Sequence, residues 1–496
     1  MMEWMEVSIL ALYFAVLGVL AAYGLHRLLL ALGYLRRSDS DPEIPQPEVW
    51  PRVTVQLPIF NEKYVAERLI DAVCEIDYPP DRLEIQVLDD STDETQELVA
   101  RHVALRRSEG HDIHHVHRVD RVGYKAGALA AGLEVATSDL IAVFDADFVP
   151  TREFLRQTVL PFADPEVGMV QARWGHLNRS YSLLTKVQAI LLDGHFVVEH
   201  AERHRRGCLF NFNGTAGVWR RRAIEDAGGW EHDTLTEDLD LSYRAQLHGW
   251  RFAYLDDVVV PAELPAEVNA YKSQQHRWAK GSVQTARKLL RAVLRAPISR
   301  RAKFEAVIHL TANSAYPLML ALSFLIFPAM YLRRGAASWR LLALDLPLFT
   351  MATLSVVIFF LVSQRKSGGV PAWRCLLQMP ALMAVGIGLS VNQSRAVWAG
   401  LFERGGVFHR TPKYRLEGRQ GGWADKAYSL GLNLSFYVEA ALALYFIACF
   451  VFAIQLGMWF SLPFLWLFLQ GYVYMTWLGL EPALRAFRAQ PEPQSI

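Results

Sequence analysis

Apolar stretches at 7–30, 316–332, 341–362, 376–391, 430–456 and 460–480 bracket a long region of mixed polarity and decide what this chain can become. A bilayer core takes about 20 apolar residues of helix, so stretches of this kind belong in a membrane and the region between them does not. The first is broken only by His26 and Arg27. It follows Glu3 and Glu6, with no basic segment and no small-residue cleavage site, so it reads as an uncleaved membrane helix and not as a signal peptide. A proline-bearing linker (Pro42, Pro45, Pro47, Pro51) then leads into a soluble domain. The expected division is 1–40 for the first helix and linker, 41–300 for the soluble domain and 301–496 for a membrane domain. A hydrophobic content of 52% fits that mixture, and a net charge of +1 gives no case for a nucleic-acid partner.

Basic residues set the expected sidedness. Arg36 and Arg37 follow the first helix, which puts the N-terminus outside and the soluble domain in the cytoplasm. The 395–426 segment carries Arg395, Arg404, Arg410, Lys413, Arg415, Arg419 and Lys426, and the tail carries Arg485 and Arg488, so both should also be cytoplasmic. Two crossings must then separate the soluble domain from that segment. The stretch 376–391, with Pro380, Gly386 and Gly388, is expected to be re-entrant or interfacial. The whole reads as a multi-pass protein of the cell membrane with the lipid bilayer as a partner. Cys74, Cys208, Cys375 and Cys449 show no paired spacing, so reduced thiols and no zinc site are expected. The run holding His111, His114, His115 and His117 fits an alternating strand and exposed loop as well as it fits a metal site.

Within the soluble domain, short apolar runs end on polar residues. The run 140–144 reads as a buried strand that delivers Asp145 and Asp147 to its carboxyl end, and such a pair suits one hard cation, Mg2+ or Mn2+, with positions left open for phosphate oxygens. The run 53–57 ends on Pro58, Asn61 and Glu62. The run 83–88 ends on Asp89 and Asp90, of which helix capping should account for one. Strand alternating with helix predicts a doubly wound, mostly parallel α/β sheet, and ligands of such sheets bind outside the carboxyl ends of the strands.

Further candidates follow along the chain. Lys125, at the start of an Ala-rich helix beside Gly123 and Gly127, can meet a diphosphate, although an ordinary glycine turn explains it equally. The small, polar Gly214 and Thr215 suit the wall of an acceptor site. Thr236, Glu237 and Asp238 open a helix. There Thr236 can cap, the dipole favours the carboxylates in ionised form, and one carboxylate can serve as a general base. Gln274, Arg277 and Trp278 place a cation beside an indole that can stack on a sugar ring.

Taken in order, Asp89-Asp90, Lys125-Ala-Gly127, Asp145-Ala-Asp147, Thr236-Glu237-Asp238 and Gln274-x-x-Arg277-Trp278 resemble the signature set of processive family-2 glycosyltransferases, the group of cellulose, mannan, chitin and hyaluronan synthases. Phe408, Thr411 and Lys413, in a segment spanning 402–428, resemble the gating loop of cellulose synthases, with Arg410 where that pattern has valine. The single N-terminal helix and short C-terminal set look nearer to the mannan and glucan synthase-like branch, and no C-terminal extension that could hold a regulatory domain is evident. The resemblance implies a cytoplasmic GT-A domain on a membrane channel that inverts at the anomeric carbon. It implies a nucleotide-sugar donor (UDP-glucose or GDP-mannose) held by Asp89, Asp90, Lys125, Arg277, Pro58, Asn61 and Glu62. It implies a metal on Asp145 and Asp147, catalysis by Asp238 with Glu237, and a growing polysaccharide on Gln274, Trp278, Gly214 and Thr215. The alternative acceptor is a lipid, with non-processive transfer of the ceramide or diacylglycerol glucosyltransferase type.

Overall fold

The computed structural model describes residues 2–36, 45–334, 338–367, 371–406, 410–422 and 434–488. The region between the first helix and the later apolar helices is built on one seven-stranded sheet: β1 (Val53–Ile59), β2 (Leu83–Asp89), β3 (Ile113–His117), β4 (Leu140–Val143), β5 (Val167–His176), β6 (Gly217–Arg220) and β7 (Arg251–Ala262). Their order is β3-β2-β1-β4-β6-β5-β7, with β6 antiparallel to both neighbours and the other pairings parallel. The continuous apolar runs read from the sequence follow from burial on both faces. Val53, Val55 and Leu57 of β1 face one core with Leu69, Val87 and Val99, while Leu88, Ile141 and Val143 face another with Leu129 and Trp219.

Parallel pairing in register brings the carboxyl ends of β1, β2 and β4 to one edge. Ile59 lies opposite Asp89, and the Phe144 N–H donates to the Gln56 carbonyl at 3.1 Å. The polar residues that end these strands therefore share one rim.

The helix Met2–Leu35 packs on Ala315–Leu332 and Ser338–Ser367. Four helical stretches are long and apolar enough to cross a membrane: Trp4–Leu35, Arg300–Leu332, Asp345–Ser367 and Leu434–Gln455. Ala372–Gly388 and Ser390–Phe402 meet at a 41° bend, the geometry of a broken span or a re-entrant loop. Most of the 460–480 stretch lies in the helix Leu462–Arg488, which packs on Leu434–Gln455 but is not one of the four. The helix Val268–Arg295 packs on Ser390–Phe402 and ties the sheet rim to the membrane helices.

Candidate active site

A cavity of about 150 Å3 opens at the rim, lined by Pro58, Glu62, Asp90, Lys125, Asp145, Asp147, Glu237, Asp238, Gln274, Arg277, Trp278, Thr411 and Lys413 among others. Seven separate segments of chain thus converge on one space.

Asp145 and Asp147 follow β4 directly. The Asp145 N–H donates to Thr215 Oγ1 at 2.9 Å, which fixes the turn. Its carboxylate meets Lys125 Nζ at 2.5 Å, and that ammonium also donates to the Gly214 carbonyl at 2.8 Å. Lys413 Nζ donates to Asp147 Oδ2 at 2.6 Å and to the Glu263 carbonyl at 2.7 Å. Burial works against the charge on Lys125, but Asp145 and Glu237 outweigh it and raise its pKa. Glu62 is pushed up to about 7 by burial, opposed by Arg410 and reinforced by Asp147 and Asp145. The two aspartates fit a hard divalent cation: they are oxygen donors on one cavity wall, and each is matched here by a lysine ammonium.

Asp238 lies in the first turn of the helix Glu237–Leu247, and the Leu239 N–H donates to its Oδ1 at 2.8 Å. The dipole was expected to lower its pKa. Instead burial, reinforced by Glu237, raises it to about 7 against the opposing Lys125, because the dipole is weaker than desolvation beside a second carboxylate. Thr236 occupies the cap position but its side chain caps nothing; its hydroxyl sits 3.3 Å from that of Thr285. Gly214 adopts φ +82°, and a Cβ there would come within 3.0 Å of Asp238 Oδ2 and 3.3 Å of Lys125 Nζ, so only glycine lets the backbone run this close to both. Gln274, Arg277 and Trp278 lie at i, i+3 and i+4 of the helix Val268–Arg295 and share one face. Burial lowers the pKa of Arg277 while Glu237, Asp145 and Asp238 counter it.

A second cavity of about 500 Å3 adjoins the first and shares with it Trp174, Asn213, Thr236, Asp238, Gln274 and Trp278. From there it runs among the membrane helices past Tyr23, Tyr316, Met319, Phe349 and Phe468. Asp238 stands on the boundary between the two.

Several expected residues play other parts. Asp89 does not line the first cavity; it points to the opposite face of the strand end, bonded to His115 Nε2 at 2.9 Å and to the Ser91 N–H at 2.9 Å, which hold its pKa down although burial opposes them. Asp90 does line it, held by Arg118 at 2.6 Å. Neither caps the next helix, whose Thr95 N–H goes to Asp93 at 3.0 Å. Asn61, at φ +54°, shapes the loop by accepting the Thr92 N–H at 2.8 Å. Thr215 is buried behind Asp145, and Phe408 lies outside the described residues. Asn213 and Arg410 also stand on the cavity walls; Asn213 sits one residue before the expected Gly214–Thr215 pair, and Arg410 is the residue noted where the loop pattern has valine.

Residues 51–281 match the family described as "Glycosyltransferase like family 2". Glucomannan 4-beta-mannosyltransferase 2 of Arabidopsis thaliana is 45% identical over 252 residues, 50% of this chain and 47% of that one. Glucomannan 4-beta-mannosyltransferase 1 of Oryza sativa subsp. japonica is 44% identical over 263 residues, 52% of this chain and 50% of that one. The chain spans about half the length of the curated relatives it matches. Among solved structures, the mannosyltransferase PcManGT from Pyrobaculum calidifontis, in complex with GDP-Man and Mn2+, covers 72% of this chain and 98% of its own at 25% identity and a TM-score of 0.48. The matched residues contain the strand ends, both aspartate motifs and the Gln274–Trp278 face, so the chain carries a glycosyltransferase domain of family 2.

Proposed function

We propose that this chain is an inverting, processive β-hexosyltransferase, a 4-β-mannosyltransferase by the chemistry its relatives are named for, that extends a polysaccharide and passes it into the membrane domain. The observation that carries this reading is the place of Asp238 between a charged cavity at the strand ends and a larger cavity that leads among apolar helices. The donor diphosphate lies against Lys125, Arg277 and Lys413, whose charge offsets what develops on the leaving group. Mg2+ or Mn2+ held by Asp145 and Asp147 supplies further screening of that charge when bound. Asp238 takes the proton from an acceptor hydroxyl that Trp278 and Gln274 present from the other side, and the hydroxyl oxygen bonds to the anomeric carbon as the nucleotide leaves. Residues 41–300 would carry the chemistry in the cytoplasm, with 1–40 and 301–496 holding it to the membrane.

The apolar lining of the larger cavity, with Leu17, Leu20, Leu322 and Ile387, also suits a lipid acceptor and sustains that second reading. Purified chain offered GDP-mannose and UDP-glucose separately should release nucleotide from the mannosyl donor, and Asp145→Asn should release none. Release from UDP-glucose alone would overturn the mannosyl assignment.

A further inference from the structure

We propose that Asp89, His115 and His117 form a second metal site, separate from the Asp145–Asp147 pair, for a zinc-class divalent ion. The side chains come from two adjacent parallel strands. Asp89 is in register with His117 and Val87 with His115, so all three project from one face of the sheet. Asp89 Oδ2 lies 2.9 Å from His115 Nε2 and 3.5 Å from His117 Nδ1. Around a tetrahedral ion with bonds of about 2.0–2.1 Å, ligand atoms sit roughly 3.3 Å apart, and the two separations straddle that spacing.

A second observation points the same way. His117 Nδ1 is buried and makes no hydrogen bond, and a buried polar atom of this kind calls for an ion or water as partner. The carboxylate is already oriented, since its other oxygen accepts the Ser91 N–H, as the outer contacts of metal ligands commonly do. Two imidazoles and one carboxylate suit Zn2+, Co2+ or Ni2+, whereas Mg2+ takes oxygen. His115 and His117 keep 19% and 26% of their side chains exposed, which leaves an entry path and room for water as a fourth ligand. The carboxylates of Glu231, Asp233 and Asp240 also lie close together, but Lys288 reaches Asp233 at 2.8 Å and Asp240 at 3.0 Å and already balances them.

The site sits directly behind the donor cavity. Asp90, the next residue, lines that cavity, and Ser91 Oγ accepts the Asn61 N–H at 2.9 Å. An ion here ties edge strand β3 to the loops that carry the donor, so it acts on donor affinity and stability and leaves the chemical step to Asp238.

The test uses the full chain in detergent, stripped of metal and titrated with Co2+. The visible bands of a four-coordinate, nitrogen-bearing site should appear in wild type, persist in Asp145→Asn/Asp147→Asn and vanish in His117→Ala. Any other pattern across these three proteins overturns the proposal. Should His117→Ala fail to fold, zinc-edge absorption of the zinc-loaded Asp145→Asn/Asp147→Asn protein decides the matter: two imidazoles per zinc support the site, and oxygen-only coordination removes it.

Discussion

The Lys413 ammonium lies 2.6 Å from the Asp147 carboxylate and is buried with it, while Lys125 stands in the same relation to Asp145 at 2.5 Å. Each of the two aspartates thus carries a tethered cation, and one tether belongs to the segment that resembles a gating loop. A divalent ion held by both carboxylates would compete with Lys413 for Asp147, and Lys413 lies in the 410–422 segment.

Lys413→Met should therefore tighten Mn2+ binding. A charge-assisted hydrogen bond contributes about 1.5–3 kcal/mol, so loss of the competitor should lower the Mn2+ half-saturation roughly tenfold or more. Transfer should fall at the same time, because the diphosphate loses a cation. Titration of Mn2+ by electron paramagnetic resonance measures the first effect; weaker binding in the variant would contradict it.

Gly214→Ala should slow transfer at least about tenfold and destabilise the fold by about 1–2 kcal/mol, the usual cost of a left-handed backbone for a residue with a Cβ. The added carbon would meet Asp238 Oδ2 at 3.0 Å. Thermal melting and initial rates check the two parts, and unchanged rates would show that Asp238 does not depend on this approach.

Asp238, raised to about 7 by burial and by Glu237, must be ionised to accept a proton. A carboxyl with a raised pKa holds its proton below that value, so the transfer rate should climb as pH rises through about 7 and level above it. Asp238→Asn should keep donor binding and lose roughly 10²-fold or more in rate at every pH. A pH profile flat from 5 to 8 in wild type would argue against Asp238 as the base.

Asp240→Asn should behave differently. Asp240 is buried and bonded to Arg244 at 2.8 Å and to Lys288 at 3.0 Å, but Lys288 keeps Asp233 and Glu231 and Arg244 keeps the Ala227 and Gly229 carbonyls, so its replacement should lower stability by about 1.5–3 kcal/mol, the scale of a lost hydrogen bond to a charged group. Surviving folded protein should turn over at near the normal rate. A normal melting temperature with lost activity would exchange the roles of the two aspartates.

These residues also mark how far the sequence can be read. The strands that end at Asp89 and just before Asp145 were legible because burial on both faces leaves continuous apolar runs, and the helix face of Gln274, Arg277 and Trp278 follows from spacing alone. Local chemistry failed where distant segments decide the outcome. The helix dipole at Asp238 is overridden by Glu237 and by enclosure within the cavity. Thr215 is drawn behind Asp145, and Asp89, which strand alternation turns to the face opposite Asp90, meets the two histidines that β3 brings there. No propensity rule sees such pairings, since they come from strand order and not from neighbours in the chain.

The measurement that bears most directly on the account is the size and linkage of the product made by proteoliposomes containing the full chain, labelled GDP-mannose and Mg2+ or Mn2+. The account expects a labelled polymer that stays in the aqueous phase, is cut to short oligosaccharides by an endo-β-1,4-mannanase, and disappears with Asp238→Asn. Label recovered instead in the organic phase, as a lipid bearing a single sugar, would contradict processive synthesis.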